Sequence, residues 1–392
     1  MQVYYLQPVK TVQKHTGVSE PGAIPKLQTD LQKYFTEINV KILPIYAFRW
    51  DDEPEQSVSV RTDGLLGGLQ QDDILLIATP TFYISERYLD TIIDHAKHVF
   101  GVKVVGITFD LLSFRHELRF AQEHHFSDFF MDGSRREKDF LAQCDAIITQ
   151  SNEMAQAMID NFAITNPIIV HGPWGFYTEK VPSPQPKTNT LLFAGSPGKA
   201  GYLNQLSHHI QTDFNIISDF AHTVANIEAP NFDARWTMHD VAPNIHITGH
   251  QYDASYVDQM LSGSFGLIWD SLTYPQVTGA FGKYMQLAMP HKFSMYTVAG
   301  IPSIVWSKSC LAPLVTQKKI GWVIDDLTEL DQLISNITPD EYGDRVYRLD
   351  EFSNLIRSGF YTKRAIFNLI GALYDHQYVQ PSADLHLTVG YQ

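Results

Sequence analysis

The sequence predicts an α/β protein built from two doubly wound domains, with a mostly helical C-terminal end. Three observations support this prediction: short apolar runs alternate with longer helical patterns, the alternation stops at one proline-rich segment, and it then starts again. Near-continuous apolar strands separated by helices are typical of parallel sheets covered on both faces. At about 150 residues per domain, a chain of 392 residues has room for two such domains.

The first half contains six strand-like runs separated by helical patterns. The strand-like runs are 3–6, 40–45, 74–78, 102–109, 146–149 and 168–170. The helical patterns are 24–38, 85–100, 137–143 and 152–162. Because strands that alternate with helices form βαβ units, we expect one Rossmann-like domain over residues 1–180.

The segment 181–190, VPSPQPKTNT, has three prolines and no periodicity, so it is the predicted linker. After it come strand-like runs at 191–194, 214–218, 245–248, 265–269, 303–305 and 321–324. Helical patterns follow at 254–261, 291–298, 327–337 and 342–373. We therefore expect a second Rossmann-like domain over 191–365, and a C-terminal helix and tail over 366–392 whose return to the first domain is left open. Two such domains place a ligand-binding cleft between the carboxyl ends of their sheets.

Composition excludes several classes of partner. The formal net charge is −14, from 29 Lys and Arg against 43 Asp and Glu, and no basic cluster stands out. A protein that follows the phosphates of a nucleic acid or an anionic membrane needs such a cluster, so neither partner is expected. The chain has no signal peptide pattern and no apolar run approaching ~18 residues, so we expect no membrane span.

Cysteine usage indicates the compartment. The chain has two cysteines, Cys144 and Cys310, which form neither a disulfide framework nor a metal-ligand spacing. This pattern favours a reducing environment, so we expect a cytoplasmic protein.

A glycine-rich turn follows the first strand of the second half, in the run FAGSPGKAGY at 193–202. Such a turn exposes backbone N–H groups at a helix N-terminus, where the helix dipole favours phosphate. Ser196 lies in this turn, and Lys199 adds a positive charge. The run matches neither GxxxxGK[ST] nor GxGxxG, so an ordinary tight turn between a strand and a helix is the alternative.

The most informative feature is the run MPHKFSMY at 289–296, which is followed by AGIP at 299–302. Pro290 presets the first turn of a helix, where the side chains of the next residues converge with free N–H groups. A lysine in that turn opposes the helix dipole, so Lys292 costs stability unless an anion lies beside it. We therefore expect a diphosphate site at this helix, and the alternative is a solvated lysine.

Together with Lys283 and Tyr284, this run resembles the donor-site signature of a family of bacterial GT-B glycosyltransferases. These are the secondary glucosyltransferases that extend O-linked GlcNAc on serine-rich-repeat adhesins. The glycine turn, Gly249-His250 and the run FGLIW at 265–269 fall where that family has its corresponding elements. The resemblance covers most of the second half, and the first half only by the order of elements. It implies a GT-B fold, with two Rossmann-like domains facing a cleft.

By this resemblance, one set of residues in the second domain binds a UDP-sugar donor. The set is Ser196, Lys199, Lys283, Tyr284, His291, Lys292 and Ser294. Lys292 and His291 would neutralise the diphosphate, while the other residues lie beside the nucleotide or at its edge. Many GT-B enzymes carry a glutamate in this helix that holds the ribose. Here Met295 or Tyr296 takes its place, so the ribose contacts come from elsewhere.

We expect transfer without a metal ion and without a cofactor other than the donor substrate. No Asp-x-Asp motif occurs in the chain. GT-A enzymes hold the diphosphate through a carboxylate-bound divalent ion, whereas GT-B enzymes use cationic side chains and helix dipoles. The adjacent pairs His124-His125 and His208-His209 lack a full ligand set, so both are interpreted as structural.

The acceptor side is expected in the first domain, at the carboxyl ends of its strands. The acceptor-binding candidates are Thr16, Thr81 and Tyr83. Inverting transfer needs a general base within hydrogen-bond reach of the acceptor hydroxyl. The candidates for this base are Asp110, Glu20 and His15. We prefer Asp110 because it ends a strand, and a turn or helix-cap role is its alternative.

The leading hypothesis is a UDP-sugar-dependent hexosyltransferase that adds glucose to O-linked GlcNAc on a serine-rich-repeat adhesin. A UDP-GlcNAc-using, polysaccharide or galactofuranosyl transferase of the same fold is the enzymatic alternative. A non-catalytic GT-B-like partner subunit is the third hypothesis, and the intact cationic helix argues against it. The resemblance also implies a homo-oligomer, either a dimer or a tetramer.

Overall fold

The computed structural model describes residues 1–9, 23–46, 52–81, 84–116, 128–195, 199–218, 242–249 and 256–374. The chain divides into two compact units. The first comprises Met1–Gly172 and Tyr361–Gln392, and the second comprises Pro173–Phe360. Within the described residues, each unit is built on its own six-stranded sheet.

The first sheet is parallel and has the strand order β2-β1-β3-β4-β5-β6. Its strands are β1 (Val3–Val9), β2 (Lys41–Tyr46), β3 (Ile74–Thr79), β4 (Lys103–Thr108), β5 (Ala146–Thr149) and β6 (Ile168–Val170). Every residue of β3 is buried, as a continuous apolar strand in the middle of a covered sheet should be. Because β1 lies between β2 and β3, the direction of strand succession reverses between β1 and β3.

Among the described residues, six α-helices connect these strands. They are α1 (Ala23–Glu37), α2 (Glu55–Leu66), α3 (Glu86–Asp94, continued by a π-helical turn over His95–Val99), α4 (Leu112–Arg115), α5 (Asp128–Gln143) and α6 (Asn152–Phe162). The N-cap serines Ser85 and Ser151 begin α3 and α6, each by accepting a backbone hydrogen bond from the first turn.

The second sheet is also parallel, in the order β12-β11-β10-β7-β8-β9. Its strands are β7 (Thr190–Ala194), β8 (Asp213–Ile217), β9 (Ile245–Thr248), β10 (Phe265–Ile268), β11 (Ser303–Trp306) and β12 (Gly321–Ile324). The helices with them are α7 (Leu203–His209), α8 (Tyr256–Met260), α9 (Gly279–Tyr284), α10 (His291–Val298), α11 (Ala312–Lys318), α12 (Leu330–Asn336) and α13 (Pro339–Arg357).

Large aromatic side chains fill the core on one face of this second sheet. Phe265 lies between Trp322 and Tyr342, with ring centroids 5.3 and 5.4 Å away. Trp269 and Tyr202 are fully buried in the same cluster. Buried aromatics bring a large apolar area out of water, so this core anchors the strand ends that carry the site.

The second unit begins before the expected linker at 181–190. Ser294 donates a hydrogen bond to the Trp174 carbonyl at 2.5 Å, and the Phe176 N–H donates to the Ile356 carbonyl at 3.3 Å. Both aromatic side chains are buried. The expected first domain therefore runs too far at 180, because the chain from Pro173 onward is already bonded to helices of the second unit.

The C-terminal helix α14 (Phe360–Tyr374) belongs to the first unit from Tyr361 onward, earlier than the expected position at 366. The buried imidazole of His171 bonds with the Thr362 hydroxyl at 2.9 Å. Lys363 pairs with Glu37 at 2.6 Å, and the Tyr374 hydroxyl donates to the Asp72 carbonyl.

The described residues contain no helix that is long and apolar enough to cross a membrane.

Candidate functional site

The reversal of strand order in the second sheet lies between β7 and β10. The chain passes from β7 to β8 on one side, and β10 pairs with β7 on the other side. In open α/β sheets, ligands bind outside the carboxyl ends of the strands at this place. Here β7 is followed by Gly195, and β10 is followed by Trp269 and Asp270.

Lys292, in the first turn of α10, places its ammonium group at this reversal. Its Nζ lies 2.9 Å from Asp270 Oδ1 and 4.8 Å from the centroid of the Phe193 ring. A Cβ atom built on Gly195 would lie 3.7 Å from the same Nζ. The Lys292 and Asp270 side chains are only 15% and 13% exposed. The cation is therefore held between the ends of β7 and β10, in a partly desolvated place where charge interactions are strong.

The position of α10 is set by a close contact one turn after Lys292. Gly266 in β10 has no side chain, and a Cβ there would lie 2.5 Å from the ring of Tyr296. The Tyr296 hydroxyl accepts a hydrogen bond of 2.8 Å from the Ala194 N–H at the end of β7. Tyr296 thus ties the helix to both strands that flank the site.

The expected cost of a lysine at a helix N-terminus is offset within the protein itself. The sequence argument required an anion beside Lys292, and the structure supplies the carboxylate of Asp270. Sequence reasoning missed this residue, although a signal existed: Asp270 directly follows a buried strand, which is the same argument that singled out Asp110.

His291 and Ser294 contact the chain that enters the second unit. The Gly175 carbonyl accepts a hydrogen bond from His291 Nε2 at 3.2 Å, and the His291 ring lies 5.1 Å from that of Phe176. The Ser294 hydroxyl is buried and donates to the Trp174 carbonyl. These bonds fix the start of α10, so His291 and Ser294 position the helix.

The other predicted donor residues fall in different surroundings. Ser196 lies outside the described residues. Lys199 is close by, with Nζ 5.9 Å from the Phe281 ring centroid. On α9, Lys283 is exposed, whereas Tyr284 is buried in the protein interior. Among the predicted donor residues that the structure describes, Lys292 places its ammonium group between the ends of β7 and β10.

The loop after β10 is bonded to the glycine turn. The Ser271 N–H donates to the Lys199 carbonyl at 3.0 Å, and the Tyr202 N–H donates to the Ser271 carbonyl at 3.4 Å. The Ser271 hydroxyl lies 2.9 Å from the carbonyl oxygens of Thr273 and Gln276. These bonds fix the backbone directly after Asp270, and they hold the two loops of the site together.

In the first unit, the reversal of strand order lies between the ends of β1 and β3. Residues 10–22 follow β1, so His15, Thr16 and Glu20 lie outside the described residues, and so does Tyr83. Thr81 is half-buried, two residues after the end of β3. Thr81 follows a strand end, and its role in binding the acceptor stays a prediction, as do the roles of the other four residues.

Asp110, the preferred base, is paired with a buried arginine. Its Oδ2 lies 3.0 Å from Arg115 Nη1 in the turn after β4. The Asp110 side chain is 25% exposed, so one side of the carboxylate faces solvent. The pairing stabilises the turn, which is the structural alternative that the sequence left open for this residue.

Glu137 on α5 lies close to Asp110, and sequence reasoning missed it. Its carboxyl group accepts hydrogen bonds from the Leu112 N–H at 2.5 Å, the Ser113 N–H at 2.9 Å and the Ser113 hydroxyl at 2.7 Å. Burial raises the pKa of Glu137 to about 7, against the opposing effect of these three donors. Its partners lie more than twenty positions away, so no local pattern marks it.

The part of the chain that the structure describes contains no group of three or more His, Cys, Asp or Glu side chains arranged to hold a metal ion. The His209 ring stacks on Tyr274 with centroids 4.9 Å apart, in keeping with a structural role. The pair His124-His125 lies outside the described residues.

Two Rossmann-like units, with a lysine helix at the strand reversal of the second, are typical of a GT-B glycosyltransferase, and two family models assign the chain to this class. Residues 10–173 match the family model described as "Glucosyltransferase 3-like, N-terminal domain", and residues 191–369 match "Glucosyltransferase 3-like, C-terminal domain". The chain belongs to this Glucosyltransferase 3-like family. The predicted family and fold are thereby confirmed.

Known relatives and a solved structure agree with this assignment. Two proteins named Glucosyltransferase 3 are similar over most of their length. The one from Streptococcus parasanguinis is 23% identical over 86% of this chain and 91% of its own. The one from Streptococcus gordonii is 25% identical over 90% and 96%. Anabaena HepE, solved in complex with UDP, has a TM-score of 0.56 at 10% identity, covering 95% of this chain and 100% of its own. This last likeness shows the shared fold.

Proposed function

We propose that the protein transfers glucose from UDP-glucose to O-linked GlcNAc on a serine-rich-repeat adhesin, without a metal ion. The observation that carries the proposal is the sheltered ammonium group of Lys292 at the strand reversal of the second sheet. The names of the streptococcal relatives support glucose as the transferred sugar. The UDP complex of a protein with the same fold supports uridine diphosphate as the carrier.

Lys292 supplies the electrostatic part of the proposed chemistry. When the bond between sugar and diphosphate breaks, negative charge builds up on the departing UDP. A cation beside the departing group in a partly desolvated site stabilises this charge more strongly than a cation in bulk water would. The N–H groups of the first turn of α10 add the favourable end of the helix dipole, and Lys199 adds a second positive charge.

The acceptor side of the proposal rests on the first unit. Thr16, Thr81 and Tyr83 are proposed to contact the acceptor, with Asp110, Glu20 or His15 as the general base. The GlcNAc-bearing acceptor and the homo-oligomeric state stay predictions from the resemblance stated above, and the cytoplasmic location stays a prediction from cysteine usage.

A transfer assay tests the proposal. The purified protein is incubated with a GlcNAc-bearing peptide in three parallel reactions, which contain UDP-glucose, UDP-GlcNAc or UDP-galactose. The mass of each product is measured by mass spectrometry. We expect one hexose to be added from UDP-glucose. Transfer only from another donor would contradict the assignment of glucose. UDP binding without transfer from any donor would instead favour a non-catalytic partner subunit.

The same assay with excess EDTA tests metal independence. We expect an unchanged rate, because cationic side chains and a helix dipole, rather than a divalent ion, are proposed to hold the diphosphate. A rate that collapses in EDTA and returns on addition of Mn²⁺ would overturn this part of the proposal.

A further inference from the structure

We propose that Asp270 competes with the diphosphate of the nucleotide for Lys292, and that it thereby limits how tightly the protein holds UDP after transfer. The inference rests on the proposed function, because it takes a nucleoside diphosphate as the anion that binds at Lys292.

The geometry shows an anion already in contact with the proposed diphosphate ligand. Asp270 Oδ1 lies 2.9 Å from Lys292 Nζ, and both side chains are largely sheltered from water. Charges screened this weakly interact far more strongly than an exposed surface pair. The negative charge of Asp270 also reaches Tyr202, where it adds to the effect of burial in raising the pKa of the phenol.

Asp270 is fixed in place independently of Lys292. Its N–H contacts Met285 Sδ at 3.2 Å, and the preceding Trp269 is fully buried in the core. The following Ser271 is bonded to the glycine turn through Lys199 and Tyr202. The backbone that carries the carboxylate is therefore fixed at the strand end, whereas the longer side chain of Lys292 can turn about its own bonds.

Two anions then compete for one cation. If Lys292 turns from Asp270 to the diphosphate, the attraction within the ion pair is lost. If Lys292 keeps its bond to Asp270, the fixed carboxylate repels the incoming phosphates. Either way, Asp270 lowers the affinity for the nucleotide. In the empty site, the same carboxylate stabilises a sheltered ammonium group that would otherwise have lost solvation without compensation.

This arrangement favours release of the product. A site whose cations stabilise the charge of departing UDP also binds UDP as a product. A competing carboxylate weakens that binding and allows the ion pair to re-form as UDP leaves. We therefore expect Asp270 to raise the dissociation rate of UDP.

The test is calorimetric titration of UDP into the intact protein and into Asp270→Asn, which keeps the shape of the side chain and removes its charge. We expect UDP to bind at least about fivefold more tightly to Asp270→Asn, with a slower dissociation in stopped-flow measurements. Asp270→Glu keeps the charge, so we expect it to bind UDP about as tightly as the unaltered protein does. A merely structural role for Asp270 would weaken UDP binding in Asp270→Asn.

Asp325→Asn is the matched control. Asp325 is an exposed carboxylate after the end of β12, so it lies at the same edge of the sheet and away from Lys292. Its replacement changes the net charge by the same amount, and we expect no change in UDP affinity. An equal gain in both variants would reduce the effect to net charge and overturn the inference.

The outcomes separate this inference from the proposed function. If the unaltered protein binds UDP and Asp270→Asn binds it equally or more weakly, the inference fails while the donor site stands. If the unaltered protein does not bind UDP, the proposed function fails first. Should Asp270→Asn not fold, Asp270→Ser removes the same charge with a smaller side chain and carries the same expectation.

Discussion

At the scale of single residues, Lys292 is central to the proposed donor site, and its surroundings were predicted only in part. Its place in the first turn of a helix indicated a neighbouring anion, because a cation there opposes the dipole. The identity of that anion was not predicted, since Asp270 is 22 positions away along the chain and its place after a buried strand does not by itself pair it with Lys292. Glu137 was missed for the same reason: its environment is created by residues distant in sequence, and only the fold brings them together.

Glu137 gives a pH-dependent prediction. Its pKa is raised to about 7 in the folded protein, and its ordinary value is about 4.3. Between these values the unfolded chain has lost the proton while the folded one keeps it. The contribution of Glu137 to the free energy of unfolding is thus fully present below about pH 4.3 and is lost as the pH rises through about 7. In total this loss is on the order of 3 kcal/mol.

Glu137→Gln, which has no proton to lose, should lack this dependence. The difference in unfolding free energy between the variant and the unaltered protein should move in the variant's favour as the pH rises, as measured by urea unfolding at a series of pH values. The difference, rather than the curve of either protein, is the test, because His171 acts in the opposite direction. Burial lowers the His171 pKa to about 4, so its contribution is lost as the pH falls. A difference that stays constant from pH 4.5 to 8 would contradict the raised pKa.

At the scale of elements, the helix α10 was predicted with the bounds that the structure gives it, 291–298. Pro290 before it and Gly300 after it mark both ends, and such markers are the most reliable local signals. By contrast, α2 was not predicted. Its buried residues Val58, Thr62 and Leu66 share one face of the helix, but Thr62 is polar and interrupts the apolar stripe.

The contact between α10 and β10 gives a prediction at this scale. In Gly266→Ala, the new Cβ would lie 2.5 Å from the buried ring of Tyr296, so the ring and the helix must shift. We expect a loss of about 1–3 kcal/mol in unfolding free energy, together with weaker UDP binding because Lys292 moves with the helix. Urea unfolding and calorimetry measure the two effects.

Gly343→Ala provides the matched control for this prediction. Gly343 lies in the interior of α13 with open space where a Cβ would be placed. The same substitution there should raise the unfolding free energy by about 0.5–1 kcal/mol and leave UDP binding unchanged. If Gly266→Ala behaved like Gly343→Ala, the packing of Tyr296 on β10 would not be what positions α10.

At the scale of the whole molecule, the sequence predicted two parallel α/β units because apolar runs, helical patterns and one proline-rich break are local features. The chain positions at which one unit ends and the other begins were not predicted well. Trp174 and Phe176 precede the proline-rich segment, yet they belong to the second unit, where their backbone is bonded to helices far along the chain. The return of the chain at Tyr361 depends on equally distant contacts.

The bond between His171 and Thr362 joins the end of β6 to the returning helix, across 191 positions of sequence. Because the Gly172 carbonyl accepts from His171 Nδ1, the Nε2 atom accepts from the Thr362 hydroxyl. Thr362→Val keeps the shape and removes this donor from a buried nitrogen, so we expect a loss of about 1–3 kcal/mol. Thr362→Ser keeps the hydroxyl and should lose much less. Equal thermal stability of the two variants would show that this hydrogen bond does not hold α14 to the first unit.

The most direct test of the donor site is calorimetric titration of UDP into the unaltered protein, Lys292→Met and Lys318→Met. Methionine keeps the apolar stem of Lys292 beside Phe193 and removes only the charge. Lys318 lies at the end of α11 just before β12, so it is at the amino ends of the strands, whereas Lys292 is at their carboxyl ends. It serves as the matched cation. We expect Lys292→Met to lose about 2 kcal/mol or more of binding free energy and Lys318→Met to bind like the unaltered protein. Unchanged UDP affinity in Lys292→Met would contradict the assignment of the donor site.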